Sequence, residues 1–459
     1  MKLVVLFLLP CAVASGCASV SPKPAFDEVQ ELVRERGGGP LHWDQGTPAD
    51  GQVRTHLADL LRGNLAPATA VEVALLRNQG LVATYEELGI AQADLVQAGL
   101  LKNPTFGARV RFSTGGSGGT ASEFSLAQDF LDLFTLPLRR RVAAAELDAA
   151  KARVGGAVLE LAAQVREAVV TLQAAQATVE VRKLVLDAQG AAAELRRRQR
   201  AAGNVGELDL IQEEAFYAQG KLDLARAEAR AVDDRERVNR LLGLWGAESS
   251  SWKVESLMPD LPEADPPLEQ VEALAVSRRL DLAAAQSEAQ ALEQAASLAG
   301  VTRVFPAVQL GVSTEHDAEG SQVTGPEISL ELPLFDQGQA RVARVAARLR
   351  QARARHDELA VNIRAEVRAL RNRLLAARGV AEHYRTVLMP LRERIVKESQ
   401  LRYSANLLGV FQLLLARREQ IEAYRDYLEA VRDYWTTRAE LERAAGGSLV
   451  APPPPEKKS

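Results

Sequence analysis

One long segment of the chain repeats apolar residues at the seven-residue spacing of a coiled-coil helix, and an earlier segment, about 138–202, is similar to it in length and composition. After Arg341 these residues fall on two grids, three positions apart: Val342, Leu349, Ile363, Leu370, Tyr384 and Leu391, then Val345, Ala352 and Leu359. A sustained heptad predicts a helix that packs along a partner of similar length. We therefore predict long helices over about 138–202 and 337–403, the second one kinked at Pro390 because proline lacks the N–H that a helix needs.

Four shorter segments instead alternate apolar and polar residues, which predicts β-strands with two different faces. They lie at about 105–113, 123–131, 307–315 and 326–333. In a transmembrane β-barrel one face would contact lipid and the other a wet lumen, whereas the alternative is two amphipathic hairpins on a soluble core. In a barrel, Phe112 and Leu330 would face lipid, and the lumen-facing positions would be Arg109, Arg111, Glu123, Asp129, Glu327 and Glu331.

The second half of the chain repeats the first. Gly206 aligns with Gly409, an offset of 203 residues, and the same offset aligns Gly243 with Gly446 without a gap. Helix, strand pair, long helix, turn and helix follow in the same order in both halves, which indicates an internal duplication. The predicted organisation begins with a signal peptide at 1–16 and a lipidated N-terminal segment and collar at 17–66. Repeat one covers 67–246 with its turn near 203–206, and repeat two covers 268–447 with its turn near 404–409. A linker at 247–267 joins the two repeats, and a proline-rich tail follows at 448–459.

The N-terminus has the layout of a secretory signal, with the apolar run Leu3–Leu9 followed by small residues and Cys17. That run is too short to span a bilayer core of about 30 Å. Ala14-Ser15-Gly16-Cys17 resembles a bacterial lipobox, which implies cleavage before Cys17 and acylation of that cysteine. The alternative is ordinary signal cleavage nearby, with Cys17 a free thiol. The sequence has two cysteines, Cys11 and Cys17, so we predict no structural disulfide and no cysteine metal site.

Composition and the lack of catalytic motifs argue against several classes of function. Lys and Arg total 56 against 60 Asp and Glu, a net charge of -4, so nothing indicates a nucleic-acid partner. The sequence has no phosphate-binding glycine loop and no His-Glu-x-x-His motif, and its five histidines are scattered. We therefore predict neither an enzyme nor a resident cofactor or metal.

Several short motifs, taken in order, resemble those of the TolC-type outer membrane factors, the exit ducts of bacterial tripartite efflux and secretion systems. The resemblance covers about 67–447. The opening helices hold two segments where the family shows Asn/Arg-Pro-x-Leu, the strand starts hold two prolines, and a Leu-Pro-Leu-Phe-Asp-Gln-Gly segment precedes the second long helix. These features are Asn78-Gln79-Gly80-Leu81, Arg279-Leu280-Asp281-Leu282, Pro104, Pro306, 332–338 and the terminal Gly446-Gly447.

The resemblance implies a mainly α fold with a β-barrel portion. In this family three protomers, with four strands each, form a 12-stranded β-barrel on a long periplasmic α-helical barrel built from two repeats. It further implies a passive exit channel in the outer membrane, lipid-anchored and barrel-inserted, that extends into the periplasm. The resemblance also implies a homotrimer, whose partners are a periplasmic adaptor, an inner-membrane transporter such as an RND pump, and outer-membrane lipid.

The substrate is less clearly indicated than the architecture. The segment Leu408–Leu414 resembles members associated with heavy-metal export. The alternatives are a type I secretion duct and a structural, periplasm-spanning coiled-coil lipoprotein. Independently of the resemblance, four strands cannot close a barrel, and unpaired edge groups in lipid cost several kcal/mol each, so a membrane-inserted form needs several copies.

The turns that follow the long helices are candidate gates, because the family resemblance implies acidic residues that constrict the tunnel there. In the second repeat Asn406 replaces the usual glycine, and Gln412 stands where a carboxylate is usual. The first repeat keeps Gly203 and supplies Glu207 and Asp209. The candidate gate is therefore Glu207, Asp209 and Gln412. The alternative is that the two acids only complement the positive end of a helix.

Overall fold

The computed structural model describes residues 20–112, 119–255, 258–304, 308–317 and 319–449. The predicted signal peptide, Cys17, Pro306 and the tail beyond residue 449 lie outside this part of the chain. The described residues form two compact units. Unit one is built from the stretches 20–29, 85–154 and 280–360, and unit two from 30–84, 155–279 and 361–449.

Helices make up most of the described chain. In order they are α1 Lys23–Arg34, α2 Pro48–Arg62, α3 Pro67–Arg77, α4 Gln79–Ala98, α5 Leu131–Ala201, α6 Glu207–Leu242, α7 Glu248–Ser251, α8 Val271–Arg278, α9 Leu280–Val304, α10 Gln339–His383, α11 Met389–Ser404 and α12 Val410–Ala444. In the part of the chain that the structure describes, none of them combines the length and apolar character needed to cross a bilayer. Helix α5 begins before the predicted start at 138, with Pro137 in its second turn.

Matching turns at the ends of the long helices show the duplication at the level of single hydrogen bonds. After α5, the Gly203 and Asn204 amides donate to the carbonyls of Arg200 (3.0 Å) and Gln199 (2.9 Å). In repeat two, 203 positions later, both hydrogen bonds recur after α11. The Asn406 amide donates to the Tyr403 carbonyl (3.0 Å) and the Leu407 amide to the Arg402 carbonyl (2.8 Å). Helices α6 and α12 then start after Gly206 and Gly409, which have the same extended backbone conformation.

The second long helix is interrupted before Pro390, where the sequence predicts a kink. Helix α10 ends at His383, a single π-helical turn covers Tyr384–Leu388, and α11 begins at Met389. A proline at position 390 has no N–H to donate, and its ring crowds the carbonyl one turn earlier. The wider π turn accommodates both effects by inserting one residue into the helix.

Unit two is held together where the helix ends of repeat one meet. Strand β1 (Asn64–Leu65) pairs in parallel with β4 (Lys253–Val254), next to the buried Trp252. The Trp252 indole donates to Asn239 Oδ1 over 2.8 Å. The Asn78 side chain donates to the carbonyl of Leu241 (2.8 Å) and accepts from the Leu81 amide (3.0 Å). Asn78 therefore ends α3 and fixes that end against α6.

The strands of unit one form a single antiparallel sheet in the order β2-β3-β5-β6. Their bounds are β2 Thr105–Phe112, β3 Thr120–Asp129, β5 Val308–His316 and β6 Gln322–Leu330. Strand β3 begins three residues before its predicted start, and β6 begins at 322 instead of 326. The added residues are mostly polar, so alternation gives no sign of them. Strand β6 also ends at Leu330 and not at 333, because Leu330 pairs with Val308, the first residue of β5.

Candidate functional site: the sheet faces and the helix tips

One face of the four-stranded sheet is apolar over most of its length. The register aligns Phe106 with Leu126 and Leu126 with Val312. The same face continues through Phe112, Phe124, Leu310, Ile328 and Leu330, all of them exposed. Toward the loop end it becomes polar, with Thr120, Ser122, Thr314, His316, Gln322 and Thr324. An exposed apolar band with a polar border is typical of a surface that contacts something other than water.

The opposite face carries five of the six predicted lumen positions. Because alternate residues share a face, the register puts Arg109, Arg111, Glu123, Asp129 and Glu327 together on this side. Glu331 follows the last residue of β6 and lies outside the strand, contrary to the predicted range. Whether this face lines a lumen stays a prediction.

Ion pairs link the charges of the polar face across strands. Arg109 and Glu123 are direct cross-strand neighbours, with Nη1 and Oε2 3.1 Å apart. Arg111 contacts the same carboxylate at 3.0 Å and Glu315 on the next strand at 3.5 Å. Like exposed pairs in general, these contribute little to stability. They do place charges of both signs side by side on this face of the sheet.

Asp129 acts at the junction between β3 and α5. Its Oδ1 accepts the Leu131 amide over 3.1 Å, and its Oδ2 lies 3.0 Å from Lys102 Nζ. The next acid along the chain, Asp132, is almost fully buried. Its carboxylate accepts a hydrogen bond from the Lys102 backbone amide over 2.8 Å and forms an ion pair with the Arg139 guanidinium over 3.0 Å. Asp129 therefore shares the polar face of the sheet but is already engaged locally.

The second candidate site is the helix tip of unit two, meaning the two turns 202–206 and 405–409 with the first turns of α6 and α12. Gly203 has φ +76° and Asn406 has φ +56°. Asparagine adopts this left-handed conformation more readily than other residues with a side chain. The replacement of glycine by Asn406 therefore leaves the turn intact.

The three predicted gate residues lie at this tip, but the two acids have local partners. The Asp209 carboxylate accepts the Gly206 amide over 3.3 Å, as expected for the third residue of a helix. Glu207 Oε2 lies 3.0 Å from Arg200 Nε. Gln412 occupies the position equivalent to Asp209, and its side-chain oxygen would lie 2.5 Å from a Cβ added at Gly409. These contacts fit the helix-start alternative and leave the gate role a prediction.

A cavity of about 220 Å³ lies next to the tip, between α5, α6 and α12. The Arg196 guanidinium stacks on the Phe411 ring, 3.2 Å from its centre, and Arg418 lies 5.2 Å from the centre of Phe216. The sequence did not predict this group of two arginines and two phenylalanines. The internal repeat gives little sign of it, because Phe216 and Phe411 do not occupy equivalent positions of the two repeats.

A second cavity between the same three helices, about 280 Å³ in volume, is lined mainly by charged residues. Burial raises the pKa of Asp234 because it disfavours the carboxylate form, with the neighbouring Asp233 adding to the shift. Arginines of all three helices, including Arg182, Arg230 and Arg425, line the same cavity. Within the described residues, no group of three or more His, Cys, Asp or Glu side chains is arranged to hold a metal ion.

Comparison with known proteins identifies this architecture. No protein-family model matches the chain. It is 24% identical over 370 residues to the cobalt-zinc-cadmium resistance protein CzcC of Cupriavidus metallidurans, covering 79% of this chain and 85% of CzcC. The outer membrane channel CmeC of Campylobacter jejuni aligns with a TM-score of 0.70 at 15% identity, covering 91% of each chain. The transmembrane channel CusC aligns with a TM-score of 0.66 at 16% identity, covering 89% of this chain and 97% of CusC.

The chain has the fold of the outer membrane channels. The resemblance to TolC-type outer membrane factors is thus confirmed at the level of the fold, as is the mainly α architecture with a strand portion. In this channel fold, the sheet is the part with an exposed apolar face, and the helix tip is the part where both repeats present the same turn. Those two surfaces are the candidates for membrane contact and for gating.

Proposed function

We propose that the chain is the protomer of a trimeric outer membrane exit channel, a passive duct of a tripartite efflux system. The observation that carries the proposal is the four-stranded sheet, whose exposed faces are apolar on one side and charged on the other. A soluble hairpin pair would bury its apolar face against a core. Here Phe106, Phe112 and Ile328 are each exposed by about 70% (69%, 74% and 72%).

The edges of the sheet argue for several copies. Strands β2 and β6 are the two outer strands, so each has one side without a ladder partner in the sheet of one protomer. Such edges are not tolerated in lipid, because every backbone N–H and C=O there needs a partner. Pairing β6 of one copy with β2 of the next would satisfy both edges. Three copies would give 12 strands and a lumen wide enough for water, whereas eight strands leave an interior filled by side chains.

As a passive duct, the channel would leave substrate choice to its partners, a periplasmic adaptor and an inner-membrane transporter such as an RND pump. The similarity to CzcC, a protein named for cobalt, zinc and cadmium resistance, favours heavy-metal ions as cargo over a type I secretion role. Charged side chains on the polar sheet face would keep the path hydrated. No residue has to bind the ion tightly in a duct of this kind, and tight binding would slow its release.

The proposal is tested by the state of the protein in purified outer membranes. We expect trimers that resist sodium dodecyl sulfate until heated and that remain in the membrane fraction after high-salt washing. Release of the protein by salt would contradict insertion and would favour the alternative, a periplasm-spanning coiled-coil lipoprotein.

Acylation of Cys17 is the proposed second attachment to the membrane. Cys17→Ser should abolish labelling by a fatty-acid probe and block lipoprotein-type processing. We expect trimers to persist, because one acyl chain adds only marginal affinity to an inserted barrel. Retained label in the variant would show that Cys17 is not the acylated residue.

Three copies of Glu207 and Asp209 would place six carboxylates around the opening at the helix tip. Such a cluster attracts cations, and salt screens it. Glu207→Gln with Asp209→Asn keeps both hydrogen-bonding side chains but removes six charges from the trimer, so cation preference and divalent-ion block in planar-bilayer recordings should fall. Gln412→Asp should strengthen both.

The control for this measurement is Glu180→Gln. It removes an exposed acid that lies on α5 about 30 Å from the tip, at ~1.5 Å per residue. We expect its selectivity to match that of the unchanged channel. If the double variant also matches it, Glu207 and Asp209 serve only the start of α6.

A further inference from the structure

One side of α5 forms the floor of the cavity next to the helix tip. Ala188, Ala192 and Arg196 lie four residues apart, so they share this side of the helix. The walls are Phe216 of α6 and a stripe of α12 that begins at Phe411. An apolar cavity of about 150 Å³ takes up benzene. This one, at about 220 Å³, therefore has room for an aromatic ring with a small substituent.

The cavity is basic as well as apolar. Its lining contains three arginines, Arg196, Arg417 and Arg418, and one acid, Glu213, which leaves an excess of positive charge. Arg417 donates to a glutamine of its own helix over 3.2 Å. Within the described residues, neither Arg196 nor Arg418 has a carboxylate or hydrogen-bond partner. Two guanidinium groups at this cavity are therefore available to an anion.

Each of these two arginines lies over a phenylalanine of a different helix. Arg196 of α5 covers Phe411 of α12 at 3.2 Å, and Arg418 of α12 lies 5.2 Å from the ring centre of Phe216 of α6. A ring covers only the flat side of a guanidinium, whose N–H groups point outward in its plane and can still donate. Arg196 Nε and the side-chain oxygen of Gln189 are both buried at the cavity without a hydrogen-bond partner among the described residues. Buried polar groups in this state cost free energy, which a ligand with matching groups would recover.

The internal repeat indicates that packing of the long helices does not require the two arginines. The residue 203 positions after Arg196 is Ser399, and the residue 203 positions before Arg418 is Ala215. The turns that join the helices have the same hydrogen bonds in both repeats. The duplicated fold therefore forms with a small side chain at either equivalent position. A role other than packing, such as binding, accounts better for the two charges.

We propose that this cavity binds a small aromatic carboxylate. The ring of the ligand occupies the apolar space beside Phe216 and Phe411, and its carboxylate accepts charge-assisted hydrogen bonds from Arg196, with Arg418 as the second positive charge. The bound ligand would join α5 and α6 of repeat one to α12 of repeat two and would stabilise that arrangement. All three helix segments belong to unit two of one copy, so the proposal goes beyond the channel function and does not depend on the trimer.

Ligand-observed NMR on the full-length protein in detergent tests the chemistry of the ligand. We expect saturable binding of benzoate. Benzamide keeps the ring without the charge, and acetate keeps the charge without the ring, so each should bind at least about tenfold more weakly. Equal binding of benzamide and benzoate would overturn the proposal. So would the absence of saturable benzoate binding, which is the result expected if a neighbouring copy or a helix of another protein covers the cavity.

Two matched pairs of variants on α5 locate the site. Arg196→Gln removes the charge and should weaken benzoate binding at least about tenfold, whereas Arg198→Gln removes an exposed arginine outside the cavity and should not. Ala188→Leu fills the cavity from an exposed position and should also weaken binding, whereas Ala191→Leu, exposed and outside the lining, should not.

If either Arg196→Gln or Ala188→Leu binds benzoate like the unchanged protein, the proposal is wrong. The gel assay for trimers separates this result from the proposed function. Trimers that form without benzoate binding would leave the channel standing and this site rejected. Benzoate binding by a protein that forms no trimer would reject the channel and leave this site standing.

Discussion

Arginine in place of Leu126 should prevent stable assembly of the channel in the outer membrane. Leu126 lies in the apolar face of the sheet, flanked across the strands by Phe106 and Val312. A charged residue on the lipid face costs about 2–4 kcal/mol per site near the bilayer midplane, and three copies carry the cost together. We expect heat-modifiable trimers to disappear from the membrane fraction, as measured by gel shift after salt washing.

The neighbouring residue provides the control. Ser125 precedes Leu126 and faces the opposite side, where it meets Gly107 and Ser313. Since Gly107 has no side chain to collide with, Ser125→Arg should assemble normally and change conductance instead. Ser329→Arg should behave in the same way. Equal assembly of Leu126→Arg and Ser125→Arg would contradict membrane insertion of this sheet.

The loss of assembly caused by a lipid-facing arginine should depend on where along the strand the arginine lies. Phe112 aligns with Thr120 near the polar border of the apolar face, and Leu330 aligns with Val308 at the other end of the sheet. The cost of a lipid-facing charge falls toward the interfaces. Phe112→Arg and Leu330→Arg should therefore impair assembly less than Leu126→Arg.

Much of this sheet could be predicted from the sequence, because alternation directly reports which residues share a face. The register confirms one common face for Arg109, Arg111 and Glu123. The strand ends could not be predicted in the same way. They depend on where a neighbouring strand begins, as Val308 ends the pairing of Leu330, and polar residues such as Thr120 pair through the backbone without any hydrophobic signal.

The helical part shows a similar limit. The heptad after Arg341 predicts the second long helix, and Pro390 predicts a kink in it. The π turn upstream of the proline, however, follows from hydrogen bonds that only the folded helix reveals. The cavity between Arg196, Phe411 and Phe216 needs three helices from both repeats at once. A pattern along one segment carries no information about such a meeting.

Alanine at Gly446 should be a strongly damaging single-methyl change in unit two. Gly446 ends α12 with φ +81°, and a Cβ there would lie 2.8 Å from the carbonyl carbon of Arg278 and 2.9 Å from the amide nitrogen of Arg279. The left-handed conformation alone costs about 1–3 kcal/mol for a residue with a side chain. The contact adds to that cost, because the contacted atoms are backbone atoms at the end of α8 and not the far end of a flexible side chain. We expect a several-fold loss of folded trimer and a lower unfolding temperature.

The internal repeat supplies a matched variant that separates strain from collision. Gly243 is the equivalent residue of repeat one and has nearly the same backbone, φ +68°, but an added Cβ would lie 3.5 Å from Arg77 and Asn78. Gly243→Ala should therefore cost only the strain. Gly379→Ala, in the last part of α10 with nothing within 4 Å of the new methyl group, should instead stabilise the helix by about 0.5–1 kcal/mol. If Gly446→Ala and Gly243→Ala lower the unfolding temperature equally, the approach of Arg278 contributes nothing, and the two ends of the duplicated unit are energetically the same.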